Sequence, residues 1–217
     1  PLYWQPVPLS GQAPAGRGDV VWDARARRLV TFSGGTSNAV RPEIASPVVW
    51  TLDPDAPRPA WEIQFDGRLP GQAPTLAAYD TRRDRLLVLT WEGPSASLFE
   101  LPRGRATWSR VPGGSLARGP EHGSSMILDE PRDRLVIESN EATLSRTVAF
   151  SLGGSEGWRE ITTSPPGVAR LAYDHSRDRI VRLGWWGSGA RFEAHVLEAG
   201  GSGERWARAP LTGPIPP

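Results

Sequence analysis

The sequence predicts an all-β repeat fold, on two periodic signals and one of composition. Trp4, Trp61, Trp108, Trp158 and Trp206 recur at intervals of 57, 47, 50 and 48 residues. Between successive tryptophans lies an aspartate–arginine signature. Its copies are Asp23-Ala24-Arg25-Ala26-Arg27-Arg28-Leu29, Asp80-Thr81-Arg82-Arg83-Asp84-Arg85-Leu86, Asp129-Glu130-Pro131-Arg132-Asp133-Arg134-Leu135 and Asp174-His175-Ser176-Arg177-Asp178-Arg179-Ile180. A period near 50 residues with two anchors in fixed order marks a repeat architecture. Glycine (24) and proline (22) supply turn residues throughout, and no useful length of chain has helical periodicity.

Each repeat offers four strand-like stretches. The first runs into the aspartate: Asp19–Trp22, Leu76–Tyr79, Ser125–Leu128 and Arg170–Tyr173. Small residues with one bulky neighbour suit a short, crowded strand. The second follows the arginine: Leu29–Phe32, Leu86–Leu89, Leu135–Ile137 and Ile180–Leu183. These runs are apolar at successive positions, which predicts burial on both faces. The third places an aromatic or histidine among aliphatics: Val48–Leu52, Ser97–Leu101, Val148–Leu152 and Ala194–Leu197. The fourth carries the tryptophan, at Trp61–Ile63, Trp108–Val111, Trp158–Ile161 and Trp206–Ala209, and alternates as a half-exposed outer strand does.

Four short strands per repeat, joined by Gly/Pro-rich turns, describe one propeller blade. The first repeat, with Val30-Thr31-Phe32-Ser33-Gly34-Gly35, then Trp50, then Trp61, resembles the kelch-type repeat. The other copies depart at the glycine pair: Thr90-Trp91-Glu92-Gly93, Glu138-Ser139-Asn140 and Gly184-Trp185-Trp186-Gly187. The pattern is similar to divergent bacterial kelch repeats, related in fold to the galactose oxidase propeller. That likeness implies a kelch-type propeller and a bacterial extracellular or cell-envelope setting. The expected division is an outer strand and connection at 1–18, then blades at 19–72, 73–120, 121–167 and 168–217, all in one propeller domain. Four blades each own a tryptophan strand, so Trp4 is a surplus outer strand and the expectation is a segment of a larger ring.

Composition narrows the function. The net charge of +1, carried by 25 arginines and no lysine, gives no field to steer the chain to nucleic acid. Without cysteine there is no disulfide, thiolate nucleophile or cysteine metal site. The copper–radical chemistry of galactose oxidase, which needs a cysteine–tyrosine crosslink, therefore does not carry over. No apolar run reaches the length of a membrane helix. His122, His175 and His195 are far apart and in non-equivalent repeat positions, so neither a metal nor a cofactor is expected.

The aspartate–arginine copies lie in the turn between the first and second strands. Repeated once per blade, they are expected to be structural: Asp80, Asp129 and Asp174 accepting turn amides, Arg85, Arg134 and Arg179 pairing with aspartates of the same or a neighbouring blade. The anchor tryptophans are expected to pack outer strands against neighbouring blades. Candidate ligand contacts lie instead on the face where second and third strands are joined. They are Arg41, Glu43, Trp91, Glu92, Arg118, His122, Arg146, Arg170, Trp185, Trp186 and Arg191, with Glu121, Glu138 and Glu141 on the same face. The longest loop, Ser33 to Pro47, is the first place to look for specificity. The expected function is a non-catalytic scaffold that recognises a protein or peptide through this face. The alternative is a carbohydrate-binding module using the three loop tryptophans. A hydrolase or lyase with carboxylates at the channel mouth is the third reading, and no paired motif supports it.

Overall fold

A computed structural model describes residues 7–14, 19–33, 48–65, 74–92, 95–118, 124–140, 145–154, 156–165, 167–186, 191–200 and 203–210. Among the described residues, sixteen strands form four four-stranded sheets, each in simple sequence order. The first holds β1 (Val20–Asp23), β2 (Arg28–Ser33), β3 (Val48–Leu52) and β4 (Trp61–Phe65). The second holds β5 (Pro74–Asp80), β6 (Arg85–Glu92), β7 (Ser95–Pro102) and β8 (Ser109–Leu116). The third holds β9 (Ser125–Asp129), β10 (Arg134–Asn140), β11 (Ser145–Ser151) and β12 (Trp158–Ser164). The fourth holds β13 (Ala169–Asp174), β14 (Arg179–Trp186), β15 (Arg191–Gly200) and β16 (Gly203–Ala209). The fold is an all-β propeller of antiparallel four-stranded blades, with no helix among the described residues. Trp4 and the leading outer strand expected around it lie outside the described residues.

The burial follows the sequence pattern most fully in the second and third sheets, whereas Val181 and Leu183 of β14 are only half-buried, so the both-face burial expected of that strand is incomplete. Leu86 through Thr90 of β6 and Leu135 through Ser139 of β10 are buried at every position, as both-face burial of the second strand requires. The fourth strands are mostly exposed or half-buried, and their tryptophans are half-buried.

Each aspartate–arginine copy closes the hairpin between first and second strands. The aspartate pairs in register with the arginine five residues on: Asp23 with Arg28, Asp80 with Arg85, Asp129 with Arg134, Asp174 with Arg179. Side chains repeat that pairing, with arginine Nε donating to carboxylate at 3.1, 2.9, 2.7 and 3.2 Å respectively. The amides of Ala26 and Arg83 donate to Asp23 and Asp80, closing the turn. The residue just before the arginine is left-handed in every copy: Arg27, Asp84, Asp133 and Asp178, φ 48–53°. Aspartate tolerates that region better than most side chains, which explains its choice in three copies of four.

The chain divides into two compact units, Pro1–Gly93 with Ser97–Val111, and Pro94–Ala96 with Pro112–Pro217. The first has a core of Val30, Phe32 and Val49 from one sheet against Ala77, Tyr79, Leu86, Val88 and Leu101 from the next, flanked by Val21 and Trp108. Arg103, at the end of β7, ties the two hairpins together. Its guanidinium donates to Asp23 at 2.7 Å, to Asp84 at 2.8 Å and to the Tyr79 hydroxyl at 3.0 Å. Burial and the hydrogen bond to Asp84 push the Tyr79 hydroxyl up to about 12.

The second unit has a core of Val136, Ala149, Ile180 and Leu197, flanked by Trp206 and Tyr173 among others. Here Arg134 holds Asp129 and also forks onto Glu204 of β16, at 2.6 Å on one oxygen. Arg132 reaches Asp178 at 3.4 Å, and the Tyr173 hydroxyl donates to Asp178. Trp206 donates Nε1 to Thr147 at 2.7 Å, and Trp158 donates to the Gly114 carbonyl at 3.1 Å. The hairpin signature is thus a fastening between sheets as well as a turn.

Candidate functional site

The candidate face lies at the strand ends opposite those hairpins. Arg41, Glu43 and His122 lie outside the described residues, as do Glu121 and Glu141. The tryptophans expected in or beside the loops belong to strand ends: Trp91 and Glu92 close β6, and Trp185 and Trp186 close β14. Trp185 is in register with Phe192 and Trp186 with Arg191, so the β14–β15 ladder carries them to its last rungs. The second strands run beyond their apolar stretches because pairing with the third strand continues there.

In the second unit this end also gathers Arg118, Arg146 and Arg170. Arg118 is exposed just past the end of β8. Arg170 is exposed on β13 and donates Nη1 to the Ser124 carbonyl at 2.9 Å. Arg146 is half-buried on β11, opposite Ser139, with Nη1 3.7 Å from Glu160 of β12.

Behind this fringe lies a feature the sequence reading missed. Glu138, expected on the loop face, is instead enclosed within β10, because the strand continues to Asn140 and sets Glu138 opposite Arg182 of β14. Both side chains are 2% exposed, and Arg182 Nε donates to Glu138 Oε1 at 2.6 Å. Arg182 also donates Nη2 to the carbonyls of Pro165 and Gly167, at 2.8 and 3.1 Å. One guanidinium therefore fixes the β12–β13 connection that leads into Arg170. Gly184 is required nearby: a Cβ there would meet Ala169 at 2.8 Å and the Val168 carbonyl at 3.0 Å. His195 of β15 is the cross-strand partner of Arg182 and is buried. Burial and the neighbouring Arg182 charge lower its pKa, with Glu193 opposing. Burial raises the Glu138 carboxyl above its usual range, with Arg182 opposing. Glu138 Oε2 and His195 Nδ1 have no hydrogen-bond partner among the described residues. The signal was present in the sequence: Arg182 interrupts a run that is aliphatic in the second and third repeats.

No group of three histidine, aspartate or glutamate side chains among the described residues is arranged to hold a metal. Among the described residues no helix is long and apolar enough to cross a membrane, which says nothing of crossing by strands.

No protein-family model matches the sequence, and no curated protein does. Solved structures do. A chain of the nidogen/laminin complex is similar over 82% of this chain and 59% of its own length, at 10% identity and TM-score 0.57. TolB from Acinetobacter baumannii is similar over 88% and 43%, at 9% identity and TM-score 0.53. A GH43 glycoside hydrolase, engineered to display endo-xylanase and exo-arabinofuranosidase activity, is similar over 91% and 42%, at 12% identity and TM-score 0.54. This chain spans between about two fifths and three fifths of the length of those proteins. At such identities the likeness concerns the fold.

Proposed function

We propose that the chain is a non-catalytic, kelch-like binding scaffold that recognises a carboxylate-bearing segment of a protein or peptide at the ends of its second and third strands. The observation that carries this reading is the fringe of Arg118, Arg146 and Arg170, the last of them following a connection whose Pro165 and Gly167 carbonyls the buried Arg182 holds. Guanidinium groups pair bidentately with carboxylates, and a backbone already fixed loses little freedom on binding. Trp185 and Trp186, which close β14 in the same unit, are candidate aromatic anchors, and Trp91 closes β6 in the first unit. The buried acid behind them, Glu138, is engaged by Arg182 and shielded from solvent, which favours a structural role for it over acid–base chemistry. The kelch assignment itself rests on Val30 through Gly35, Trp50 and Trp61.

The test is selection of peptides from a random display library on the immobilised protein, followed by fluorescence anisotropy of the selected sequences. Acidic peptides are expected, with affinity reduced at least about tenfold by Arg118→Glu combined with Arg170→Glu, and weakened by salt. Selected peptides without acidic residues, or indifference to both charge reversals, would refute the reading. Sugar affinity that vanishes in Trp185→Ala/Trp186→Ala would favour the carbohydrate alternative instead.

A further inference from the structure

The first unit contains a cavity of about 260 Å³ at the hairpin end of its strands, remote along the blade from the strand ends discussed above. Its walls come from two sheets and the β7–β8 turn. Val49 of β3, Leu86 of β6 and Leu101 of β7 give it an apolar interior. Three arginines line it, Arg28, Arg103 and Arg105, and the lining includes no acid.

The cavity wall is built and held. The Arg103 amide donates to the Asp84 carbonyl at 2.9 Å, and the Arg105 amide to the Pro102 carbonyl at 3.0 Å. Gly104, between them, has φ 74°, a conformation that lets the turn set the two arginines on either side of it. Arg28 and Arg103 each give one contact to the fully buried Asp23, so that single carboxylate is shared by two guanidiniums. Arg105 is exposed and has no side-chain hydrogen bond or ion pair among the described residues. An apolar pocket with a few convergent charged groups is the usual design of a small-molecule site. The cation excess selects an anion, and the planar guanidinium fork favours a carboxylate head.

We infer that this cavity binds a small carboxylate with an apolar body, its hydrocarbon part between Val49, Leu86 and Leu101 and its head at Arg105, assisted by Arg28. Arg103 keeps its place as the wall, because its Nε and Nη2 are committed to Asp84, Asp23 and Tyr79.

Phenylacetate, hexanoate, phenylacetamide and inorganic phosphate are the probes, titrated into ¹⁵N-labelled protein and followed by amide chemical shifts. Both carboxylates are expected to saturate, with the largest shifts at Gly104, Arg105 and Ala106. Phenylacetamide and phosphate should each bind at least about tenfold more weakly, because one lacks the charge and the other the apolar body. Arg105→Ala should weaken phenylacetate at least about tenfold with an unchanged circular dichroism spectrum, and Ala106→Trp should block it by filling the mouth. The inference is overturned if no carboxylate saturates at millimolar concentration. Equal binding of phenylacetamide or phosphate overturns it too, as does Arg105→Ala binding phenylacetate like the parent protein.

Discussion

Replacing Arg182 with methionine isolates the energetics of the buried pair in the second unit. Methionine keeps a linear apolar stem but removes the 2.6 Å bond to Glu138 and the bonds to the Pro165 and Gly167 carbonyls. Glu138, 2% exposed, is then a lone carboxylate in the interior. It escapes by taking up a proton, since burying an unpaired charge costs more. Holding a carboxyl of ordinary value 4.5 in its protonated form costs about 1.4 kcal/mol for each pH unit above that value. That is about 3.4 kcal/mol at pH 7 and about 0.7 kcal/mol at pH 5. The two orphaned carbonyls add about 1 kcal/mol each, independent of pH. The variant is therefore expected to lose at most about 5 kcal/mol at pH 7 and about 3 kcal/mol at pH 5, since burial already raises the Glu138 carboxyl in the parent. Urea unfolding of parent and variant at both pH values measures the difference. The double variant Glu138→Gln/Arg182→Met should lose the pH dependence, which separates Glu138 from the nearby His195. A destabilisation equal at the two pH values, or below about 1 kcal/mol at pH 7, would refute the account of Glu138 as a buried charge held by Arg182.

Other consequences are open to simpler measurements. Asp129→Asn removes the charge that Arg132 and Arg134 share, with contacts at 3.1 and 2.7 Å, and should cost about 2 kcal/mol, or roughly 4–8 °C in melting temperature by calorimetry. Arg27→Asn relieves a left-handed arginine at the expense of a well-exposed pair with Asp55, so a small rise in the urea midpoint is expected. Tyr79 and Tyr173 are both pushed up to about 12, so absorbance at 295 nm should show them ionising well above 10. Their folded values lie above the unfolded one. The stability they contribute is complete below pH 10 and is lost as pH rises toward 12, and Tyr79→Phe should flatten part of that loss.

The strands were legible because the same pattern is stated four times, once in each repeat. The second strands show why: Leu86 to Leu89 and Leu135 to Ile137 are fully apolar because both of their faces are covered. The turn chemistry was legible in outline, since aspartate at a hairpin has few alternatives. What escaped was the identity of the charged partners chosen across a sheet boundary. Arg103 lies outside the repeated signature and its acceptors are 19 and 80 residues away, while Glu204 lies 70 residues from Arg134. Long-range ion pairs leave no local period to detect. Sequence alone puts Glu138 on the loop face, because it follows the apolar run Leu135 to Ile137. Its burial depends on Arg182, which belongs to another repeat. The loop-end candidates were found by topology alone, and their side-chain chemistry depends on neighbours that spacing does not specify.

The hairpin arginines have a second consequence, on the ribosome rather than in the finished blade. Before the sheets assemble, Leu86 through Leu89 and Leu135 through Ile137 are bare aliphatic stretches with high affinity for any similar strand. Each is preceded at once by an aspartate–arginine pair, Asp84-Arg85 and Asp133-Arg134. Charges flanking a sticky segment act as gatekeepers against intermolecular stacking. The same side chains that later fasten Asp80, Glu100, Asp129 and Glu204 thus first protect the nascent chain from its own core.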